Sequence, residues 1–210
     1  MDEIFDEFER TIAQIRQTND LYKYLRDVVK LQDSEINDIL RSQIVNVISA
    51  LDRFLHEKVR KGICDMFLGN KMITNKFKGF SVSSDAVIRI WGDPLLTVID
   101  REILINEVVI QSLKTLSFQK AINIKDALSF IWDEPHKMTI IAKEMEVPGN
   151  TDNDKQRYLT QKLDLLVERR NQIAHESDIY FGGKRDICQD DVIDAITFIE
   201  KFVSCLNEHI

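Results

Sequence analysis

The sequence predicts an all-α protein, with four long helices around one core and shorter helices inserted in the middle. Three observations carry this. Seven glycines and three prolines are too few, in 210 residues, to punctuate a fold of strands and turns. Apolar residues recur at spacings of three and four over long segments, the period of a helix packed on one face. Helix-start signals stand where those segments begin, as at Asp33-Ser34-Glu35 and Asp93-Pro94. With 44% hydrophobic and 30% charged residues the chain can bury a real core, so residues 1–210 read as a single domain.

In order along the chain, residues 1–30 are expected to hold an extra N-terminal helix, with Ile4, Phe5, Phe8, Ile12 and Ile15 on one side. The first bundle helix spans 34–68, its inner face drawn by Ile36, Leu40, Ile44, Val47, Ile48, Leu51, Phe54 and Leu55, and Gly69-Asn70 ends it. Residues 70–92 form a connection that closes with a short helix from Ser83 to Trp91. Asp93-Pro94 pairs a cap with proline at the first helical position, which predicts the second bundle helix over 94–118. Residues 120–150 are a second insertion with short helices at 124–132 and 135–146. Val147-Pro148-Gly149-Asn150 is the clearest break in the chain. The third bundle helix runs over 154–176. After a loop holding Gly182-Gly183 comes the fourth, over 189–208, with Val192, Ile193, Ile196, Ile199, Phe202, Val203 and Leu206 facing inward.

A formal charge of −7 argues against a wholly basic nucleic-acid binder. The charge is uneven, however. Between Arg53 and Phe80 seven basic residues stand against Glu57 and Asp65, so Lys58, Arg60 and Lys61 become candidates for holding a short polyanion. The bland reading of the same residues is a solvated helix face. No apolar run is long enough to span a bilayer, and the acidic start Met1-Asp2-Glu3 is unlike a secretion signal. Cys64, Cys188 and Cys205 are odd in number, far apart and free of any CxxC pattern, as in reduced thiols; a cytoplasmic location is expected.

Few of the usual catalytic patterns are present. His56-Glu57 lacks the second histidine of HExxH, because position 60 is arginine, so no metal site is expected. His136 and His209 have no partner ligand at helical spacing. There is no GxSxG and no glycine-rich phosphate loop, and no cofactor is expected. His56 reads as a structural histidine, and Asp190-Asp191 as the first turn of the last helix.

The exception lies in Glu168-Arg169-Arg170-Asn171-Gln172-Ile173-Ala174-His175-Glu176. At about 100° per residue, Leu159, Leu163, Leu166, Val167, Ile173 and Ala174 gather into one apolar stripe, with Arg170 in the middle of it. Arginine cannot shed its charge and is not buried without partners. On a neighbouring face Asp164, Glu168, Asn171 and His175 stack at spacings of four, three and four. Two explanations stand side by side. Arg170 pairs with a carboxylate such as Glu168 or Asp164, while a histidinium at position 175 complements the helix end; or Arg170 and His175 form a site, since a break in local sequence logic often marks function.

Arg169 to Glu176, RRNQIAHE, resembles the Arg-polar-x3-His signature of the HEPN superfamily (higher eukaryotes and prokaryotes nucleotide-binding). The flanking stretches LDLLVERRNQIAHESDI at 163–179 and GGKRDICQDDVIDAITFIEKF at 182–202 are most similar to its RiboL-PSP branch, and LDRFLHEKVR at 51–60 resembles that branch's early helix. The resemblance implies a HEPN-like four-helix up-and-down bundle, and a metal-independent endoribonuclease whose homodimer shares one composite cleft. It further implies catalytic roles for Arg170, His175 and Asn171, with Arg169 a contributor to RNA binding. RNA would be the substrate, cut by its own 2′-hydroxyl, and the setting a toxin or phage-defence system with a cognate antitoxin or defence partner. Tyr158 and Tyr180 are the acceptors nearest the motif if such a partner is a nucleotidyltransferase. A non-catalytic module that docks a protein or a nucleotide is the competing expectation.

Overall fold

The computed structural model describes residues 2–175, 178–180 and 182–210, with the backbone alone at Tyr180. Among them eight α-helices and one short hairpin follow in the order α1 (Glu3–Tyr24), α2 (Asp33–Phe67), α3 (Ser84–Trp91), α4 (Val98–Leu113), α5 (Ala121–Leu128), α6 (Lys137–Glu144), α7 (Asp152–His175), β1 (Ile179–Tyr180), β2 (Gly183–Lys184) and α8 (Gln189–Asn207). The all-α architecture is as expected from the periodicity. The loop holding Gly182-Gly183 adds a two-stranded antiparallel pair, Ile179 opposite Lys184 and Tyr180 opposite Gly183. Gly182 takes a φ of +84°, the left-handed turn conformation that glycine adopts without steric cost.

Helix α2 is the axis of the molecule. At 35 residues it is about 52 Å long, and α1, α4, α5, α7 and α8 all pack against it. Its fully buried Leu40, Val47, Ile48, Leu51, Leu55, Val59 and Ile63 supply the middle of the core. The chain enters α2 through a reciprocal cap, Glu35 N donating to Gln32 O at 2.9 Å and Gln32 N to Glu35 Oε2 at 2.8 Å. Gln32, rather than Asp33, is therefore the capping residue.

Helix α1 belongs to the bundle. It runs antiparallel to α2, with Asp2 paired to Lys58, Glu7 to Arg53 at 2.7 Å, and Tyr22 donating to Asn37 at 3.3 Å. It also meets α8, where Arg16 pairs with Glu200 and Gln189 donates to Asn19 at 3.1 Å. Helix α7 runs antiparallel to α8, joined by Lys162 and Asp194 at 2.6 Å. Helices α1, α2, α7 and α8 thus make the up-and-down bundle. The expected helix over 94–118 is shorter and packs beside the C-terminal half of α2 and against α3. Asp93 forms a tight turn, its Oδ1 accepting from Leu95 N at 2.9 Å, and α4 starts instead at Thr97, which trades hydrogen bonds with Asp100. The first 30 residues give α1 to Tyr24, then a widened π-helical turn over Leu25–Val29 that Lys30 closes at φ +64°.

The inserted helices brace the bundle. Phe118 N donates to Asp52 and Ala121 N to Asp164, both at 2.9 Å, so α5 bridges α2 and α7. Gly62 admits the turn after α5, since a Cβ there would lie 2.4 Å from Ile131 Cγ2. The ring of Trp132 stacks on His209, which also meets Glu144 of α6 at 2.9 Å. His56 has the structural surroundings expected of it, stacked on Phe118 and 3.8 Å from Asp52. The cysteines are all free, and burial pushes the Cys64 thiol up to about 11. Among the described residues, no helix is long and apolar enough to cross a membrane.

Candidate active site

The motif occupies the last turn and a half of α7. Leu159 and Leu163 are fully buried, and Val167 nearly so, which orients one stripe of α7 into the bundle. Arg170 continues that stripe and is half-buried; Asn171 is half-buried beside it, and His175 is exposed at the helix end. The expected helix reaches Glu176, which lies outside the described residues.

Arg170, Asn171 and His175 come together. Arg170 Nη1 donates to Asn171 Oδ1 at 3.1 Å and lies 3.5 Å from His175 Nε2. A guanidinium only donates, so this approach requires Nε2 to present its lone pair and the ring proton to sit on Nδ1. Arg170 Nε is buried and has no hydrogen-bond partner. Among the described residues Arg170 forms no ion pair with a carboxylate. Asp164 accepts from Ala121 N, and Glu168 Oε1 from Gln172 at 3.4 Å. The ion-pair explanation for an arginine in the apolar stripe therefore fails at both carboxylates that sequence spacing put within reach. A cation remains beside an exposed histidine, without a carboxylate among the described residues. That constellation suits an anion with several acceptor oxygens.

Arg169 is placed elsewhere. Its guanidinium forks onto Asp178, Nη2 to Oδ2 at 3.0 Å and Nη1 to Oδ1, and Nη2 also donates to Asp186 O at 3.2 Å. From α2, Arg41 Nε donates to Asp178 Oδ2 at 2.6 Å, and its Nη2 to Arg185 O at 2.6 Å. Asp178 is 1% exposed and Arg41 7%. One buried carboxylate thus holds two arginines from different helices. Lys184 extends the network, meeting Asp38 at 2.6 and 2.7 Å, while Arg41 Nη1 lies 3.3 Å from Asp38. Lys184 keeps the Asp38 carboxyl below the usual aspartate range. Arg169, expected to contribute to RNA binding, is engaged here as a clamp on Asp178. Arg41 and Asp178 escaped notice, yet Arg41 breaks the stripe of Ile44 and Ile48 as Arg170 breaks its own, and the same signal would have found it.

The basic stretch is not brought to the motif. Lys58, Arg60 and Lys61 follow Arg41 on α2 by 17 to 20 residues, which sets them about 26–30 Å along the helix from the clamp beside the motif. Each has a local partner as well: Lys58 is buried on Asp2 and donates to Ile210 O at 3.4 Å, Arg60 pairs with Glu57 and Asn106, and Lys61 with Asp65 at 2.6 Å. Further along, Lys76 is taken up by Asp126. Counting charge along the sequence included Glu57 and Asp65 but missed Asp2 and Asp126, which other segments bring to Lys58 and Lys76. Tyr158 is 38% exposed on the outer face of α7, and the side chain of Tyr180 lies outside the described residues.

Among the described residues no group of three or more His, Cys, Asp or Glu side chains gathers in a metal-binding arrangement. A family model described as RiboL-PSP-HEPN matches residues 9–210. No curated protein and no solved structure matches the chain.

Proposed function

The chain belongs to the RiboL-PSP-HEPN family, over nearly its whole length, and from that premise we propose that it is a metal-independent endoribonuclease. The family is one of nuclease-like, RNA-related modules. The observation that carries the finer reading is Arg170, set in the apolar stripe of α7 with no carboxylate partner among the described residues and held against Asn171 and His175.

The reaction asks little else of the protein. RNA brings its own nucleophile: the 2′-oxygen attacks the adjacent phosphorus and loses its proton. The bond to the 5′-oxygen breaks and that oxygen takes up a proton, leaving a 2′,3′-cyclic phosphate and a 5′-hydroxyl. His175 supplies proton transfer, for which an imidazole is suited near neutral pH. Arg170 offers a fixed positive fork to the charge that builds on the phosphoryl oxygens. Asn171, one turn before His175, holds the guanidinium in line. We assign the active form to a homodimer in which two α7 helices share one cleft. The biological setting we propose is a cytoplasmic toxin or phage-defence effector, restrained by a cognate antitoxin or another defence partner.

The test compares wild type, Arg170→Ala and His175→Ala on RNA in excess EDTA, with the product ends identified. Wild type is expected to cut and leave cyclic phosphate, and each variant to lose at least a hundredfold in rate. Equal rates in all three, or cleavage abolished by EDTA, would overturn the assignment.

A further inference from the structure

His175 is the last residue of α7, a place where helices fray and the final carbonyls have no partners within the helix. A group needed within 3.5 Å of Arg170 is thus carried on the least constrained turn of its element. The chain returns to this turn at Asp178, whose N–H reaches back to Gln172 O at 2.9 Å. Asp178 adopts a φ of +59°, the left-handed conformation that aspartate takes more readily than most residues with a Cβ. Its carbonyl accepts from Arg185 N at 2.8 Å, and its carboxylate receives Arg41 and Arg169. One residue therefore closes the end of α7, the base of the hairpin and the start of α2.

Stability alone is a poor reason for this arrangement. A buried ionic triad is often no more stabilising than apolar side chains of the same volume, whereas it does impose one geometry. Arg169, the other end of the clamp, immediately precedes Arg170 in α7. Fixing Arg169 and Asp178 fixes the backbone on both sides of Arg170, Asn171 and His175.

We propose that Asp178, gripped by Arg41 and Arg169, is a positioning residue that locks the last turn of α7 and so holds His175 in register with Arg170. The inference rests on the ribonuclease reading for its kinetic consequence, and on the geometry alone for its structural one. Asp178→Asn is the variant of choice, because asparagine keeps the shape and tolerates the left-handed backbone while removing the charge. Two measurements on the full chain decide it: kcat and KM for RNA cleavage in EDTA, and the imidazole resonances of histidine-labelled protein, with His175 assigned from His175→Ala. Folded Asp178→Asn is expected to lose tenfold or more in kcat with KM within twofold. The His175 signal is expected to shift or broaden while those of His56, His136 and His209 stay in place, and Asp178→Glu to recover part of both effects. If Asp178→Asn fails to fold, Arg169→Gln removes the more exposed arm of the clamp and is read in the same way. A folded variant with wild-type kcat and an unmoved His175 signal overturns the proposal. Should wild type fail to cut RNA, the ribonuclease reading falls by itself; an altered His175 signal in Asp178→Asn would still support the positioning role, and an unaltered one would end it.

Discussion

Replacing Arg170 with leucine is expected to stabilise the protein while abolishing its activity. Arg170 lies in the stripe of Leu159, Leu163, Leu166 and Val167, and its Nε is buried without a partner. A buried, unsatisfied donor costs about 1–3 kcal/mol, and the single hydrogen bond to Asn171 returns about 1 kcal/mol of that. Leucine removes the donor and keeps an apolar stem in the stripe, for a net gain of up to about 2 kcal/mol. In a protein of this size that raises Tm by up to about 8 °C. Urea unfolding at a fixed protein concentration, followed by far-UV circular dichroism, is the assay: the midpoint should rise with unchanged slope. Arg169→Leu, one residue earlier, should do the opposite. It strips one of two arginines from buried Asp178, and because Arg41 stays paired the cost is less than the roughly 3–5 kcal/mol of leaving a buried charge with no partner. A fall in midpoint for Arg170→Leu comparable to that for Arg169→Leu would refute the reasoning, because it would mean that Arg170 is held by the fold rather than held for a ligand.

Three further outcomes are expected. Gln43 is fully buried with both amide atoms unpartnered, so Gln43→Leu should raise the urea midpoint by an amount equal to about 1–2 kcal/mol; a lower midpoint would show that the amide is satisfied in solution. Neutralising Arg60 and Lys61 together, as Arg60→Gln with Lys61→Gln, should leave RNA cleavage within about twofold, given their separation of about 30 Å from the motif along α2, and a tenfold loss would return them to the RNA path. Burial pushes the Asp2 carboxyl up, but the hydrogen bond and charge of Lys58 outweigh it and hold the group below its ordinary range. A carboxyl lowered on folding stabilises the protein above its unfolded-state pKa, and that contribution is lost as pH falls through the folded value. The stability difference between wild type and Asp2→Asn should therefore be full at neutral pH and close below about pH 4. A difference that widened on acidification would contradict the pairing.

Local pattern was enough for the parts that local physics decides. The long apolar faces of α2 and α8 and the anomaly at Arg170 were legible because each is written within a few turns of one helix. The role of α1 was not, since periodicity shows that a face is apolar but not which helix will cover it. The start of α4 was misread because Asp93-Pro94 satisfies the rules for a turn as well as those for a cap, and the exchange between Thr97 and Asp100 four residues later outcompeted it. The clamp at Arg169 was hidden for a different reason. Its partner Asp178 lies beyond the helix, and Arg41 arrives at the same carboxylate from 128 residues upstream of Arg169, a meeting that no window of sequence contains. The partners of the basic stretch were hidden likewise: Asp2, Asn106 and Asp126 are remote in sequence and adjacent in space.

The contact of Lys58 with Asp2 and with the carbonyl of Ile210 has a practical corollary. Residues 2 and 210 meet at one pole of the bundle, while Arg170 and His175 lie at the other, about 26 Å away along α2. Anything joined to the chain before residue 2 or after residue 210, whether a fluorescent reporter, an affinity handle or another folded unit, leaves from the pole that faces away from the motif. Labelling and immobilisation there keep clear of the motif end of α7, so surface-tethered or single-molecule measurements can be made through either end of the chain.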